Sequence, residues 1–246
     1  MKTTGTLERR RVLITRSGED STEWAEELAR RGAEAVSHPC ITTELIDTER
    51  LRAGLAAAAA EADWLVFTSR RGVAAYAVLN PKPARRETRI AAVGSATGQA
   101  ALATLGRIDH VGRGTAAALG DSLAALPDFK HGCRCLLAVA ANASAELEQS
   151  LRLAGASCTR FDVYRTKPAR KRRRKQPLSA LGVDTILFAS PSAVQGFTNQ
   201  FDLDTDVRVF TIGPSTTAAA RSRGIAVTAE SRTPSFEGLL EAMNAQ

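Results

Sequence analysis

No phosphate-cradling glycine loop is present: neither G-x-G-x-x-G nor G-x-x-x-x-G-K-[ST] follows any apolar run, which speaks against a nucleotide site. No apolar run approaches the ~20 residues of a membrane helix, so no membrane contact is expected. The opening Met1–Arg10 lacks the apolar stretch of a secretory signal, which makes the cytoplasm the expected location. His38, His110 and His131 are scattered without ligand spacing, and of Cys40, Cys133, Cys135 and Cys158 only one C-x-C pair is close. A single such pair without a partner pair is poor zinc equipment; buried structural cysteine and no metal are expected. Also missing from the loops are a Ser/His/Asp set, a reactive Cys/His pair and clustered carboxylates. Aggressive acid–base or nucleophilic chemistry therefore has few candidates.

The formal charge of +7 suggests a polyanionic partner until it is located. Arg170-Lys171-Arg172-Arg173-Arg174-Lys175 carries nearly all of it, between Pro168 and Pro177, in a segment with neither helical nor strand periodicity. A solvated mobile loop is the plain reading. One basic run without stacking aromatics makes a poor nucleic-acid site, so no nucleic-acid partner is expected. General basicity also suits a small polyanionic substrate.

What the chain does have is repetition. Val12-Leu13-Ile14-Thr15-Arg16 and Leu136-Leu137-Ala138-Val139-Ala140 open two similar halves. Phe67-Thr68-Ser69-Arg70-Arg71-Gly72-Val73 matches Phe188-Ala189-Ser190-Pro191-Ser192-Ala193-Val194, and Val93-Gly94-Ser95-Ala96-Thr97 matches Ile212-Gly213-Pro214-Ser215-Thr216. The intervals Phe67 to Gly94 and Phe188 to Gly213 are nearly equal. A period this long marks a duplicated domain rather than a solenoid, and 246 residues suffice for two cores.

Short aliphatic runs alternate with alanine-rich helical stretches, the pattern of βαβ units with a mainly parallel sheet. Strands are predicted at Arg11–Thr15, Trp64–Thr68, Ile90–Val93 and Ile108–Val111, then at Cys135–Ala140, Thr185–Ala189, Val207–Ile212 and Ile225–Thr228. Helices are predicted at Glu23–Arg31, Gly72–Leu79, Ala96–Leu105, Thr115–Leu126, Ala145–Ala154, Ala193–Asn199, Ser215–Arg223 and Ser235–Met243. Gly32, Gly106, Gly155 and Gly224 read as C′ stops. Unbroken aliphatic strands predict sheets covered on both faces.

Ala35–Thr43 and Cys158–Thr166 are extended, lie at equivalent places in the repeats, and are not followed at once by a helix. They could pair as a two-stranded crossover between interleaved lobes, or the lobes could simply follow one another. Two lobes facing each other would enclose a cleft, the first place to look for function.

Ligands of open parallel sheets gather at the carboxyl ends of strands. Here those ends are small and hydroxyl-bearing: Thr15-Arg16-Ser17, Thr68-Ser69-Arg70, Gly94-Ser95-Ala96-Thr97, Gly112-Arg113-Gly114-Thr115, Asn142-Ala143-Ser144, Ser190-Pro191-Ser192, Gly213-Pro214-Ser215-Thr216 and Ser231–Ser235. Most can be explained as helix N-caps. If they converge, however, unpaired amides and positive helix ends would suit a small molecule with many carboxylates. Tyr164 is one of two tyrosines and falls in the second extended segment, at the mouth of such a cleft. A phenol can donate a proton to a departing hydroxyl; a packed linker aromatic is the equal alternative.

Taken in order, Val12–Arg16, Val66–Ser69, Ala92–Thr97, Val163-Tyr164-Arg165-Thr166, Phe188–Val194, Ile212–Thr216 and Ala229–Ser235 resemble the uroporphyrinogen-III synthase family over nearly the whole chain. The resemblance implies two similar flavodoxin-like α/β lobes joined by a two-stranded β linker, with the active site in the cleft between them. Lobe one would be residues 1–37 and 168–246, lobe two 41–160, and the linker strands 36–43 and 158–167. It implies a cofactor-free lyase that cyclises hydroxymethylbilane, a linear tetrapyrrole with eight carboxylates. Its terminal hydroxyl is lost to give an azafulvene cation, and the ring closes with ring D inverted through a spiro intermediate. By position, Tyr164 would assist departure of the hydroxyl. Thr15, Arg16, Thr68, Ser69, Gly94, Ser95, Thr97, Arg113, Asn142, Ser190, Ser192, Gly213, Ser215 and Thr216 would bind substrate. A monomer is implied, with handover of substrate from hydroxymethylbilane synthase. Many members carry a glycine- and arginine-containing loop where this chain has Ala140-Ala141-Asn142-Ala143-Ser144. A carboxylate contact there would fall to Asn142, Arg113 or backbone amides. The competing expectation is an inactive two-lobed protein that binds a small anion or regulates.

Overall fold

The computed structural model describes residues 7–82 and 84–246; the first six residues of the expected first lobe, Pro83, and the side chains of residues 18–20 lie outside that description. In chain order the elements begin β1 (Arg11–Ile14), α1 (Gly18–Arg30), β2 (Glu34–Ser37), β3 (Ile41–Leu45), α2 (Glu49–Glu61), β4 (Trp64–Phe67) and α3 (Arg70–Leu79). Next come β5 (Arg89–Ala92), α4 (Ser95–Leu105), β6 (His110–Val111), α5 (Ala116–Ala124), β7 (Arg134–Ala140), α6 (Glu146–Leu153) and β8 (Ser157–Pro168). The chain closes with β9 (Gln176–Pro177), a 3₁₀ turn (Leu178–Leu181), β10 (Thr185–Phe188), α7 (Pro191–Gln200), β11 (Phe201–Asp202), β12 (Arg208–Thr211), α8 (Pro214–Arg221), β13 (Ala229–Glu230) and α9 (Phe236–Asn244).

Two compact units result, one of Met1–Thr42 with Lys167–Gln246 and the other of Thr43–Thr166. In the first, the sheet order is β13-β12-β10-β1-β2, with every pair parallel. In the second it is β3-β8-β7-β4-β5-β6, parallel from β8 to β6. Matching β1, β2, β10, β12 and β13 to β7, β8, β4, β5 and β6 gives one spatial order in both, entered at different strands. That order, 2-1-3-4-5 within each repeat, is a doubly wound sheet with its switch point between β1 and β10, and between β7 and β4. β3 lies beside β8, where the Ile46 amide donates to the Val163 carbonyl at 3.0 Å.

Alternation within the strands builds a core on each side of each sheet. Leu65 and Phe67 face one cluster and Trp64 and Val66 the opposite one. Leu13, Ile186 and Phe188 face one cluster of the first unit; Val12, Ile14 and Leu187 face the other. The repeats even share an edge-on aromatic pair: Phe67–Tyr76 at 5.5 Å and Phe188–Phe197 at 5.4 Å. Gly32, Gly106, Gly155 and Gly224 all take positive φ after their helices. At Gly196 the demand is closeness, since a Cβ would lie 1.6 Å from the Cys40 carbonyl oxygen.

Some elements differ from the sequence expectations. Helix α2 has no counterpart among the expected helices; its alanine-rich Ala56–Ala60 stretch offers little contrast between faces, and only Leu55 and Ala59 are buried. The strand expected at Ile225–Thr228 lies at Ala229–Glu230, because Ile225 turns into the core and Thr228 starts the pairing by binding the Val209 backbone. The strand expected at Ile108–Val111 shrinks to His110–Val111. The basic run is more anchored than a free loop: Arg172 N–H donates to Asn199 O, Lys175 pairs with Asp202, and β9 follows directly, paired with β11. Its side chains from Arg170 to Arg174 are exposed.

Candidate active site

In each unit the helices run back against the strands, so strand carboxyl ends and helix N-termini share one rim. In the first unit this rim carries Thr15 and Arg16 after β1, Ser190 and Ser192 around the α7 start, and Gly213, Ser215 and Thr216 after β12. Thr15 is fully buried and its hydroxyl donates to Leu187 O at 2.8 Å, so it braces the switch point and is not available to a ligand. Arg16 lies 4.7 Å over the Trp24 ring, which in turn stacks on Phe236. Ser190 Oγ accepts the Ala193 amide; Ser192 is half-buried and Ser215 exposed. Thr216 is 1% exposed and packs inward from the first turn of α8.

The rim of the second unit carries Thr68 and Ser69 after β4, Gly94, Ser95 and Thr97 after β5, Arg113 after β6, Asn142 after β7, and Tyr164 on β8. Thr97 is buried like its counterpart Thr216, while Arg113, Asn142 and Ser95 are exposed on the rim and Thr68 is half-buried. Arg113 follows β6, three strands from β7 and so roughly 14 Å from the Ala140–Ser144 loop by strand spacing. It is not placed to serve that loop.

Helix starts divide into two kinds. Ser69, Thr115, Ser190 and Ser235 side chains each accept an amide of their helix, the ordinary cap. At the equivalent turns before α4 and α8 the cap residue is Gly94 or Gly213, with no side chain to accept anything. Both repeats thus leave the same helix end without a side-chain cap, although at α8 Pro214 carries no N–H and the Thr216 and Thr217 amides donate to Gly213 O, so the end of α4 offers more donors to an anion.

Tyr164 is brought to Ser69 by a fault in the ladder. β8 pairs with β7 as Val139↔Asp162 and then Ala140↔Tyr164, so Val163 is an extra residue, a β-bulge. Before it, Cys158 packs toward one cluster while Phe161 and Val163 pack toward the other. Strict alternation would send Tyr164 to the Arg160–Asp162 side; the bulge puts it beside Val163 instead. From there its hydroxyl reaches over β7 to Ser69 Oγ at 2.9 Å. The ring is only 8% exposed, so of the two readings the sequence left open the packed aromatic describes the ring, with the hydroxyl as its polar tip.

Sequence reasoning missed two features. A shallow groove of about 320 Å³ runs along α3 beside Tyr164, with Thr43, Leu45, Ala74, Ala75 and Val78 as an apolar lining and Arg71 near its rim end. Under the Ala140–Ser144 loop lies Arg160. Its guanidinium donates to the carbonyls of Ala140 and Ala143 at 3.0 and 3.2 Å, to Glu148 at 3.1 Å and to Asp162 at 2.8 Å. The only hint in the sequence was an arginine and an aspartate two apart on one strand face.

Among the described residues no group of three or more histidines, cysteines or acids could hold a metal ion. The four cysteines are free; burial pushes the Cys40 thiol up to about 12. No described helix is long and apolar enough to cross a membrane.

A sequence model described as uroporphyrinogen-III synthase HemD matches residues 22–241. The chain belongs to the uroporphyrinogen-III synthase family. No curated protein matches it. Solved structures of similar fold include a mutant uroporphyrinogen III synthase from the extreme thermophile Thermus thermophilus, 20% identical with a TM-score of 0.53, covering 96% of this chain and 98% of that one. Another is uroporphyrinogen-III synthetase from Helicobacter pylori, 16% identical with a TM-score of 0.56, covering 96% and 100%. At such identities the likeness speaks for the fold shared with other uroporphyrinogen-III synthases, not for individual contacts.

Proposed function

We propose that this protein cyclises hydroxymethylbilane to uroporphyrinogen III, with loss of water and inversion of ring D. The match of residues 22–241 to the synthase family carries the activity, and the Tyr164–Ser69 hydrogen bond supports the roles of individual residues. An inactive anion-binding protein is the less favoured reading, since the family match extends over most of the chain.

The hydrogen bonds around Ser69 allow one productive direction of proton flow. Gly72 N–H donates to Ser69 Oγ at 3.0 Å, leaving the serine O–H to donate to the Tyr164 oxygen at 2.9 Å. The phenol proton then points to the substrate. As the terminal C–O bond of the bilane breaks, that proton goes to the departing hydroxyl, which leaves as water. The phenolate left behind is stabilised by Ser69 and by the positive end of α3. It recovers a proton when the attacking pyrrole carbon loses its own after ring closure, so the residue ends as it began. Electron release from pyrrole nitrogen drives the ionisation, which is why a single weak acid suffices.

The carboxylates of the bilane are assigned to rim amides and hydroxyls, above all the uncapped starts of α4 and α8 with Ser95 and Ser215. Asn142, Arg113, Arg16, Thr68, Ser190 and Ser192 are secondary contacts in this reading. Thr15, Thr97 and Thr216 shape the turns through buried side chains and contribute no direct contact. Four free thiols accord with a reducing cytoplasm. The reading includes a monomer that takes its labile substrate from the synthase that makes it.

Freshly generated hydroxymethylbilane should give mainly the type-III isomer; only type I at the spontaneous rate would overturn the assignment. Tyr164→Phe should lower turnover about a hundredfold and cost about 1 kcal/mol of stability, the loss of one buried hydrogen bond. Unaltered turnover would remove Tyr164 from the chemistry. Gly213 has an extended φ of 169°, and a Cβ there would meet nothing within 4 Å, so Gly213→Val should fold. By placing a branched side chain over the start of α8 it should raise KM about tenfold, and an unchanged KM would exclude this turn from substrate binding.

A further inference from the structure

We infer that Arg160 is a positioning residue that sets the aim of Tyr164 and the shape of the Ala140–Ser144 loop. This rests on the cyclase reading above and extends it to a residue that never touches substrate. The guanidinium offers five donors in a planar fork, and its partners come from separate parts of the unit. One is Asp162, the last residue of β8 in regular register before the bulge. Others are the Ala140 and Ala143 carbonyls of the rim loop and the Glu148 carboxylate on α6, itself only 7% exposed.

One peptide unit links this cluster to the tyrosine. The Ala140 carbonyl accepts from Arg160, while the N–H of the same peptide, on Ala141, donates to the Tyr164 carbonyl at 2.8 Å. Arg160 therefore holds the plane of that peptide, and the peptide holds the backbone from which Tyr164 reaches Ser69. Glu148 accounts for one charge on the guanidinium and Asp162 for a second contact, but neither carboxylate requires carbonyls as well. An arginine serving only as a surface ion pair would not gather three loop carbonyls, those of Ala140, Ala141 and Ala143. The loop has no arginine of its own, and Arg160 supplies the cation from beneath and holds the loop in the shape that fixes the Tyr164 backbone.

The test compares Arg160→Gln and Arg160→Lys with the parent protein, using Arg152→Gln as control. Arg152 also touches Glu148, at 3.5 Å, but no carbonyl of the Ala140–Ser144 loop. Steady-state assays on hydroxymethylbilane should show kcat falling about ten- to a hundredfold in Arg160→Gln with KM within about twofold. Lysine, with one point charge and no fork, should recover only a minor part, and Arg152→Gln should match the parent. In Arg160→Gln/Tyr164→Phe the second change should add little, because a misaimed phenol has no hydroxyl contribution left to lose. Multiplying effects, a parent-like kcat in Arg160→Gln, or an equal loss in Arg152→Gln would overturn the inference. Amide exchange across residues 139–145 decides independently of activity: it should quicken at least about tenfold in Arg160→Gln while global protection is kept. Unchanged exchange there overturns the positioning role even if the parent protein makes no type-III product. An inactive parent with quickened exchange in the variant would refute the cyclase reading alone.

Discussion

One extra residue in β8 determines what the second unit can do. Val163 interrupts the ladder, and the next side chain is delivered to the opposite face of the sheet from the one alternation assigns it. A phenol that would have pointed at Arg160 and Asp162 is packed beside Phe67 and Val73, with its oxygen against Ser69. The arrangement combines a fixed ring and a polar tip that meets a helix start. Rigidity matters here because the chemistry needs little catalytic power and much direction: the bilane ionises readily, and the enzyme must decide which ring carbon closes.

Duplication supplies the rest. Both units use the same strand order, the same edge-on aromatic pair and the same distribution of caps. Serine caps the helix after the third strand of each repeat, and glycine leaves the helix after the fourth uncapped. A lone uncapped helix could be drift; the same omission at equivalent turns is a feature that the two repeats share. The two repeats differ where chemistry is assigned. Tyr164 belongs to β8, and β2, its counterpart, is a short strand ending at Ser37.

Much of this was legible in the residues. Recurrence of Phe67–Gly94 as Phe188–Gly213, with aliphatic strands and glycine stops, was enough for two doubly wound units. Helix α2 was hidden because its alanines give every face the same hydropathy. The hydroxyl residues at strand ends form one class in the sequence, yet Thr15, Thr97 and Thr216 are buried while Ser95 and Ser215 reach solvent. Composition cannot separate these, since a threonine that bonds a neighbouring strand and one that greets a ligand occupy the same place in the pattern. The bulge did leave a trace: Val163 and Tyr164 are adjacent, large and apolar in a strand that otherwise alternates. Arg160 left almost none, because its partners are carbonyls and the sequence says nothing about where carbonyls point.

The most direct measurement is the coupling between the two hydroxyls at the heart of the second unit, from turnover of Ser69→Ala, Tyr164→Phe and the double variant. If Ser69 acts by orienting and polarising the phenol, the double variant should be about as slow as Tyr164→Phe alone, a coupling of about 1 kcal/mol or more. Strictly multiplying losses would mean that the hydroxyls act separately, contradicting the paired action of Ser69 and Tyr164.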